Sequence, residues 1–413
     1  MAQPLAAKHL LILGSLYLAQ GLPFGFFTQA MPTLLREQGV DLRVLGMLSM
    51  LAIPWALKFL WAPLLDRISF SSSAHRRGWI LLANLAAVTG LLVLSMAPLE
   101  WWLDFNVVAL FALLLGLNFC AATQDIATDA LAVESIPAEQ RGFANGLQIA
   151  GYRMGMVIGG GLILGWIAVL EWQGAMWAMA AILLMTSLTV WAWGEEDSPV
   201  DHDSYSQAYL GFFKVKSVWA WIALLLVYKA PDGFGSAMLR PMLVDIGATV
   251  DDIAWLLGTC GVIAGLIGAL LGGWLVKPIG RYRALWSFIL LHGAAIGSFG
   301  FIPTFGVDSP VTFMIIMCEH VLGGMSTVAL FVLMMDFCRP THSGVDYSLQ
   351  SCLVLIGGLG IGALSGLSAH ALDYDGHYGL TWVLTLLATA YVISQRKVIQ
   401  YLASKVQVGH RPQ

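Results

Sequence analysis

The stretch GEEDSPVDHDSYSQAYLGFFKVK, residues 194–216, is the longest polar run in this chain of 413 residues, and it decides how the rest is read. On both sides of it the sequence consists of apolar runs of about twenty residues, the length that crosses a bilayer as a helix. Six such runs precede it, at about 9–34, 42–64, 79–98, 105–128, 143–169 and 174–193. Six follow, at about 217–239, 252–276, 284–303, 310–335, 345–368 and 378–395. The expectation is an all-α polytopic membrane protein with 12 transmembrane helices in two six-helix halves, 1–193 and 217–397. Residues 194–216 would be the linker and 398–413 a tail.

Composition agrees. Hydrophobic residues make up 58% of the chain and charged residues only 11%, against about 25% charged in a soluble domain. Mean hydropathy is +0.76. So little charge cannot cover a water-exposed surface, which excludes a soluble enzyme, and a net charge of −4 gives no electrostatic case for nucleic acid. The five cysteines, Cys120, Cys260, Cys318, Cys338 and Cys352, are odd in number and widely spaced, with no CxxC pair. They read as small apolar residues, and neither a disulfide framework nor a metal site is expected.

The positive-inside rule orients the map. With both termini cytoplasmic, fifteen of the 21 Lys and Arg face the cytoplasm and three, Arg36, Arg43 and Arg240, face outward. Lys58, Arg153 and Lys229 fall inside spans. The second span of each half is followed by a basic loop, LLDR with HRR at 64–77 and KPIGRYR at 277–283. Two parallel six-helix repeats of this kind are the pattern of a major facilitator fold, with a substrate site near midplane.

Charges within the spans are the costly residues, at roughly 2.5–3.5 kcal/mol each on insertion scales, so they face a cavity and pair. Asp125 and Asp129 lie four residues apart, on one helix face beside Gln124. Two nearby carboxylates favour proton exchange, which makes them proton-coupling candidates; a salt bridge to Arg153 is the structural alternative. Glu319, next to His320, is the third candidate. Lys58, Arg153, Lys229, Asp232, Gln20, Gln29 and Gln124 are candidates for substrate contact. Arg153 suits bidentate recognition of an anion, and Lys58 could instead snorkel to the interface. Lys229 and Asp232 flank Pro231, and with Gly233 this is expected to interrupt the helix and expose backbone to a cavity. Asp66, Arg67, Arg76 and Arg77, in the loop after span two, are candidates for a conformational gate. His202 and the acidic cluster of the central stretch read as a solvated linker. No HExxH, GxSxG or GxxxxGK[ST] motif occurs, so neither an enzyme nor an ATP-driven pump is expected. Transport coupled to an ion gradient remains, without a cofactor.

Several stretches then carry a resemblance. LAQGLPFGFF (18–27), WALKFLWAPLLDR (55–67), RRGW (76–79), ATQDIATDALAVESIPAEQRG (122–142), GYRMGMVIGGG (151–161), YKAPDGF (228–234) and GGMSTVALFVLMMDFC (323–338) resemble the AmpG-like permease group of the major facilitator superfamily. That group includes muropeptide permeases, acetyl-CoA transporters and siderophore importers of the RhtX/FptX type. The resemblance implies a bacterial inner-membrane importer driven by protons, acting as a monomer on a small-molecule substrate, with membrane lipid around it. The leading expectation is uptake of anhydro-muropeptides for cell-wall recycling by alternating access. Ala130–Leu131–Ala132 after QDIATD, and the short tail, are closer to the siderophore importers, so a ferric siderophore is the alternative substrate.

Overall fold

A computed structural model describes residues 7–40, 48–70, 75–191 and 204–401. Among the described residues there are helices and turns and no strands, and ten helices are long and apolar enough to cross a membrane. Span one is His9–Glu37, span three His75–Leu94 and span four Val107–Ser135. Spans seven to eleven are Val218–Asp245, Asp251–Ile279, Arg281–Phe305, Pro310–Phe337 and Ser343–Gly362. Spans five and six lie within one helical run, Ala138–Trp191, and span twelve within Ser365–Ser394. The remaining expected span, the second, is the short apolar run Met50–Leu60.

That second span departs from a regular helix. It is a series of short pieces: a 3-10 turn at Leu48–Ala52, an α-helix at Ile53–Leu57, a 3-10 turn at Lys58–Leu60 and an α-helix at Ala62–Arg67. Pro54 and Pro63 each stand at the start of an α-helical piece, where a missing N–H costs least. The expected interruption at Pro231 goes the other way. The helix Val218–Gly235 runs through Pro231 and gives way to a 3-10 turn only at Ser236–Met238. Neighbouring segments keep the helix going despite the lost backbone bond.

Two tight turns repeat. The run Ala138–Trp191 reverses at Glu171, with φ 59°, and Ser365–Ser394 reverses at Asp373, with φ 55°. The wording matches: Glu171-Trp172-Gln173-Gly174 in one, Asp373-Tyr374-Asp375-Gly376 in the other. Both residues combine a positive φ with an extended ψ, 178° and −179°, a conformation that L side chains rarely adopt, so each turn is a strained one. A Cβ at Gly174 or Gly376 would press on Leu170 or Leu372 at 2.8 and 2.6 Å.

The chain divides into two compact units that do not follow chain order. Unit one is Met1–Ile136, Ala150–Tyr209 and Cys338–Cys352; unit two is Pro137–Ile149, Leu210–Phe337 and Leu353–Gln413. The start of span five thus packs in unit two, and the start of span eleven in unit one. In unit one, spans one and five touch backbone to backbone: a Cβ on Gly155 or Gly159 would run into the carbonyls of Leu18 and Leu22. In unit two, spans eight and ten meet the same way, Gly268 against the Val321 carbonyl and Gly324 against that of Gly265. Small residues bring helix backbones close where lipid supplies no hydrophobic drive.

The acidic part of the central stretch, His202 included, lies outside the described residues. Its second part is ordered more than a solvated linker would be. Tyr205–Phe213 is a helix. In unit one, Tyr209 donates to the Phe59 carbonyl, and the Ala208 carbonyl accepts from Arg339 at 2.8 Å. In unit two, Phe212 packs against Phe337 at 5.4 Å between centroids. Burial pushes the Tyr209 hydroxyl above its ordinary value, which keeps it a donor.

Candidate functional site

In unit one the broken second span delivers a cation to the fourth. Lys58 stands on the 3-10 turn between the two proline-started pieces and is 4% exposed. Its ammonium forms an ion pair with Asp125 and lies 3.8 Å from Asp129. The four-residue spacing does put both carboxylates on one face of span four. Tyr17 of span one donates to Asp129 at 3.1 Å. One ammonium therefore serves two buried carboxylates. Asp125 takes its cation from Lys58, and the snorkelling alternative for that lysine does not hold, because Lys58 points into the bundle.

Around this cluster lie polar and aromatic groups. Gln124 donates to the Leu16 carbonyl at 3.3 Å. Gln20 is 1% exposed, and its amide nitrogen finds no partner among the described residues. Phe24, Trp55 and Tyr152 form a ring group, with centroids 5.6 Å apart for Phe24 and Trp55 and 6.3 Å for Trp55 and Tyr152. Trp55 donates to Asn118 and Trp61 to Thr123, at 3.3 and 3.2 Å. Arg153 follows Tyr152 and is half-buried, whereas Gln29 is exposed and abuts Gly160. The aromatic trio is an addition to the expected site residues, although Phe24, Trp55 and Tyr152 all sit in the stretches that carry the resemblance.

Unit two holds a second charged cluster. Lys229 pairs with Asp232 at 2.8 Å and donates to Thr327 at 3.1 Å, and Ser236 donates to Asp232 at 3.2 Å. Glu319 lies between two imidazoles, 3.1 Å from His292 and 2.6 Å from His320. Adjacent helical residues point about 100° apart, yet Glu319 and His320 still meet, and the same His320 nitrogen lies 3.0 Å from the Ile316 carbonyl. His292, on span nine, is a member that sequence reasoning misses. One ligand atom each from Asp232, His292 and Glu319 lies within 4.8 Å of the others. Such a trio could hold a metal ion, but Asp232 already takes the Lys229 ammonium.

The gate candidates separate into two pairs. Asp66 and Arg76 are fully buried and form an ion pair at 2.7 Å. Arg76 also takes Glu134 at the end of span four, at 2.7 Å. Asp66 accepts the backbone N–H groups of Gly344 and Val345, at 3.2 and 2.8 Å, at the start of span eleven. Ser343 donates to Glu134 and accepts from Arg76 at 3.1 Å. Arg67 is exposed, and Arg77 reaches the Trp191 carbonyl instead. Unit two has a counterpart: Asp336, at the end of span ten, takes Arg141 at 2.8 Å and also Arg281. Arg281 donates further to the Ala138 carbonyl at 2.8 Å. Glu134, Arg141, Arg281, Asp336 and Ser343 stand outside the expected site residues; in the sequence the two arginines read only as orienting charges.

With the spans, the paired charges and the repeated turns described, comparison with known proteins decides the family. A family model described as "Major Facilitator Superfamily" matches residues 13–362. The chain belongs to the Major Facilitator Superfamily. Within it, this is an AmpG-like permease. It is 29% identical over 405 residues to the anhydromuropeptide permease of Escherichia coli K12, covering 95% of this chain and 80% of that one. It is 30% identical over 386 residues to an uncharacterized protein of Haemophilus influenzae, covering 89% of each. Among solved structures, the human organic anion transporter MFSD10 superposes with a TM-score of 0.72 at 15% identity, covering 94% of this chain and 100% of that one. A variant of the E. coli fucose:proton symporter FucP superposes at 0.70 and 12%, covering 94% and 98%. At such identities these two structures speak for the fold. The molecule is a multi-pass membrane transporter of small molecules, and it is not an enzyme.

Proposed function

We propose that this permease imports anhydro-muropeptides across a bacterial inner membrane, driven by protons, by alternating access with both termini in the cytoplasm. The observation that carries the coupling is the sharing of Lys58 between Asp125 and Asp129. The two carboxylates lie within reach of one ammonium in a site sheltered from water, so a proton taken up by either would change how Lys58 is held. Protonation also frees Lys58 from one partner, and a carboxylate of the incoming substrate can take its place. Phe24, Trp55 and Tyr152 beside it offer apolar ring faces of the kind sugars pack on. The substrate class follows from the similarity to the anhydromuropeptide permease.

In this reading Glu319, with its two histidines, is a second proton-coupling position, and Arg153, Lys229, Asp232, Gln20, Gln29 and Gln124 contribute to substrate binding. Asp66 and Arg76, with Glu134 and Ser343, form the latch that closes and releases during the cycle, and Arg67 and Arg77 flank it.

The test is uptake into cells that lack their own importers, with radiolabelled anhydro-muropeptide and ferric siderophore side by side, with and without a protonophore. Muropeptide uptake that the protonophore abolishes is expected. Uptake of the siderophore alone would replace the substrate, and uptake of muropeptide indifferent to the protonophore would remove the coupling. Asp125→Asn should abolish pH-dependent uptake while the protein stays in the membrane. Normal proton-driven uptake by that variant would take Asp125 out of the mechanism.

A further inference from the structure

Unit two carries a groove of about 320 Å³ where span eight ends, span nine begins and the helix after span twelve passes. Three guanidiniums line it, from Arg281, Arg283 and Arg396. Arg281 is tied at the back, to Asp336 and to the Ala138 carbonyl. Arg283 and Arg396 are exposed, and neither forms an ion pair with a carboxylate among the described residues. The Arg396 guanidinium stands over the Tyr282 ring at 5.8 Å. Tyr282 in turn donates to the Ile393 carbonyl at 3.0 Å, which fixes that ring across the groove. Asp336, the acid that holds Arg281, is already shared with Arg141.

We propose that this groove binds the phosphodiester headgroup of an anionic phospholipid. Three observations favour that occupant. The groove lies at the ends of membrane-spanning helices, where headgroups lie. Guanidiniums without a carboxylate partner bind phosphate oxygens in a bidentate manner, and Arg283 and Arg396 are the two in that state. The flank is apolar as well as basic: Ile279 and the fully buried Ile399 line the groove, and Ile393, whose carbonyl accepts from Tyr282, is 44% exposed. A lipid satisfies both features, with its phosphate on the arginines and its acyl chains along the spans, whereas a free phosphate satisfies only the first. Basic pockets between membrane helices are a known form of lipid recognition. Because Arg281 belongs both to the groove and to the Asp336 cluster, a bound headgroup would bear on that cluster directly.

The experiment uses the full-length protein purified in mild detergent and exposed to vesicles of phosphatidylcholine alone or with phosphatidylglycerol. Retained lipid is counted by native mass spectrometry. The wild type should keep phosphatidylglycerol and release phosphatidylcholine. Arg283→Gln with Arg396→Gln should lower phosphatidylglycerol retention roughly tenfold or more, since two charge-assisted contacts are lost. Arg396→Gln alone, at an exposed position outside the Asp336 cluster, should lower it by a smaller factor, and this variant decides the matter if the double one does not fold. Millimolar inorganic phosphate should leave the bound lipid in place. Retention that is unchanged in both variants, equal for the two lipids, or abolished by inorganic phosphate would overturn the assignment.

Discussion

In unit one, the start of span eleven is received by carboxylates. Asp66 accepts the Gly344 and Val345 amides, Glu134 accepts the Ser343 hydroxyl, and Arg76 joins the two acids. In unit two, the start of span five arrives with its own cation. Arg141 pairs with Asp336, which Arg281 also holds. The positions correspond. Glu134 and Asp336, Arg141 and Ser343, Gly142 and Gly344 stand at one constant spacing in the sequence. Both glycines sit at close approaches, Gly344 against Asp66 and Gly142 against the Gly273 carbonyl, each with room for no Cβ. The charges do not correspond. Two acids meet one arginine in unit one, and two arginines meet one acid in unit two. Free amides at a helix start act as a partial positive charge, so Asp66 can use the backbone where unit two needs a guanidinium. The repeat keeps the geometry of the contact and lets its chemistry diverge.

This asymmetry ranks the effects of substitutions. Asp336→Asn should be the most damaging, because it leaves Arg141 and Arg281 facing a neutral amide. Breaking a buried ion pair from one side costs roughly 3–5 kcal/mol. Thermal unfolding of the detergent-purified protein should show the largest fall in Tm here, and an Asp336→Asn protein as stable as the Asp66 variant would break the comparison. Asp66→Asn should come second, at about 1–3 kcal/mol. Arg76 keeps Glu134, and the new amide carbonyl still accepts one backbone N–H. Accessibility of a cysteine placed at Val345 to a maleimide would report whether the start of span eleven has come loose. Ser343→Ala should be the mildest, at about 1 kcal/mol or less, with Arg76 and Glu134 still paired. A Tm loss for Ser343→Ala that matches Asp66→Asn would mean that the hydroxyl, and not the Asp66 cap, holds span eleven.

Much of the architecture is legible in the sequence because bilayer solvation acts on segments about twenty residues long. Every expected span has a counterpart in TM-length or shorter apolar helices, and the superfamily assignment agrees with the resemblance. The pairing of Lys58 with Asp125 is less accessible. Each residue stands out as a costly charge, but they lie on spans two and four, and hydropathy does not say which faces meet. Arg141 and Arg281 escape for a specific reason. Arginine at a helix end serves the positive-inside rule whether or not it is buried against an acid, so its second role is invisible until its partner is known. Glu134 and Asp336 lie within quoted stretches, and the constant spacing between the halves is the signal that could single them out. Helix behaviour at proline is also hard to foresee. Pro54 and Pro63 begin separate short helices, whereas Pro231 is carried inside a continuous one.

The paired reversals at Glu171 and Asp373 bear on how the helices they join can move. At each, one exposed acidic residue with positive φ is the whole turn between two apolar helices. Spans five and six, and the helices on either side of Asp373, are thus joined with no slack, so that neither member of a pair can shift along its axis without carrying the other.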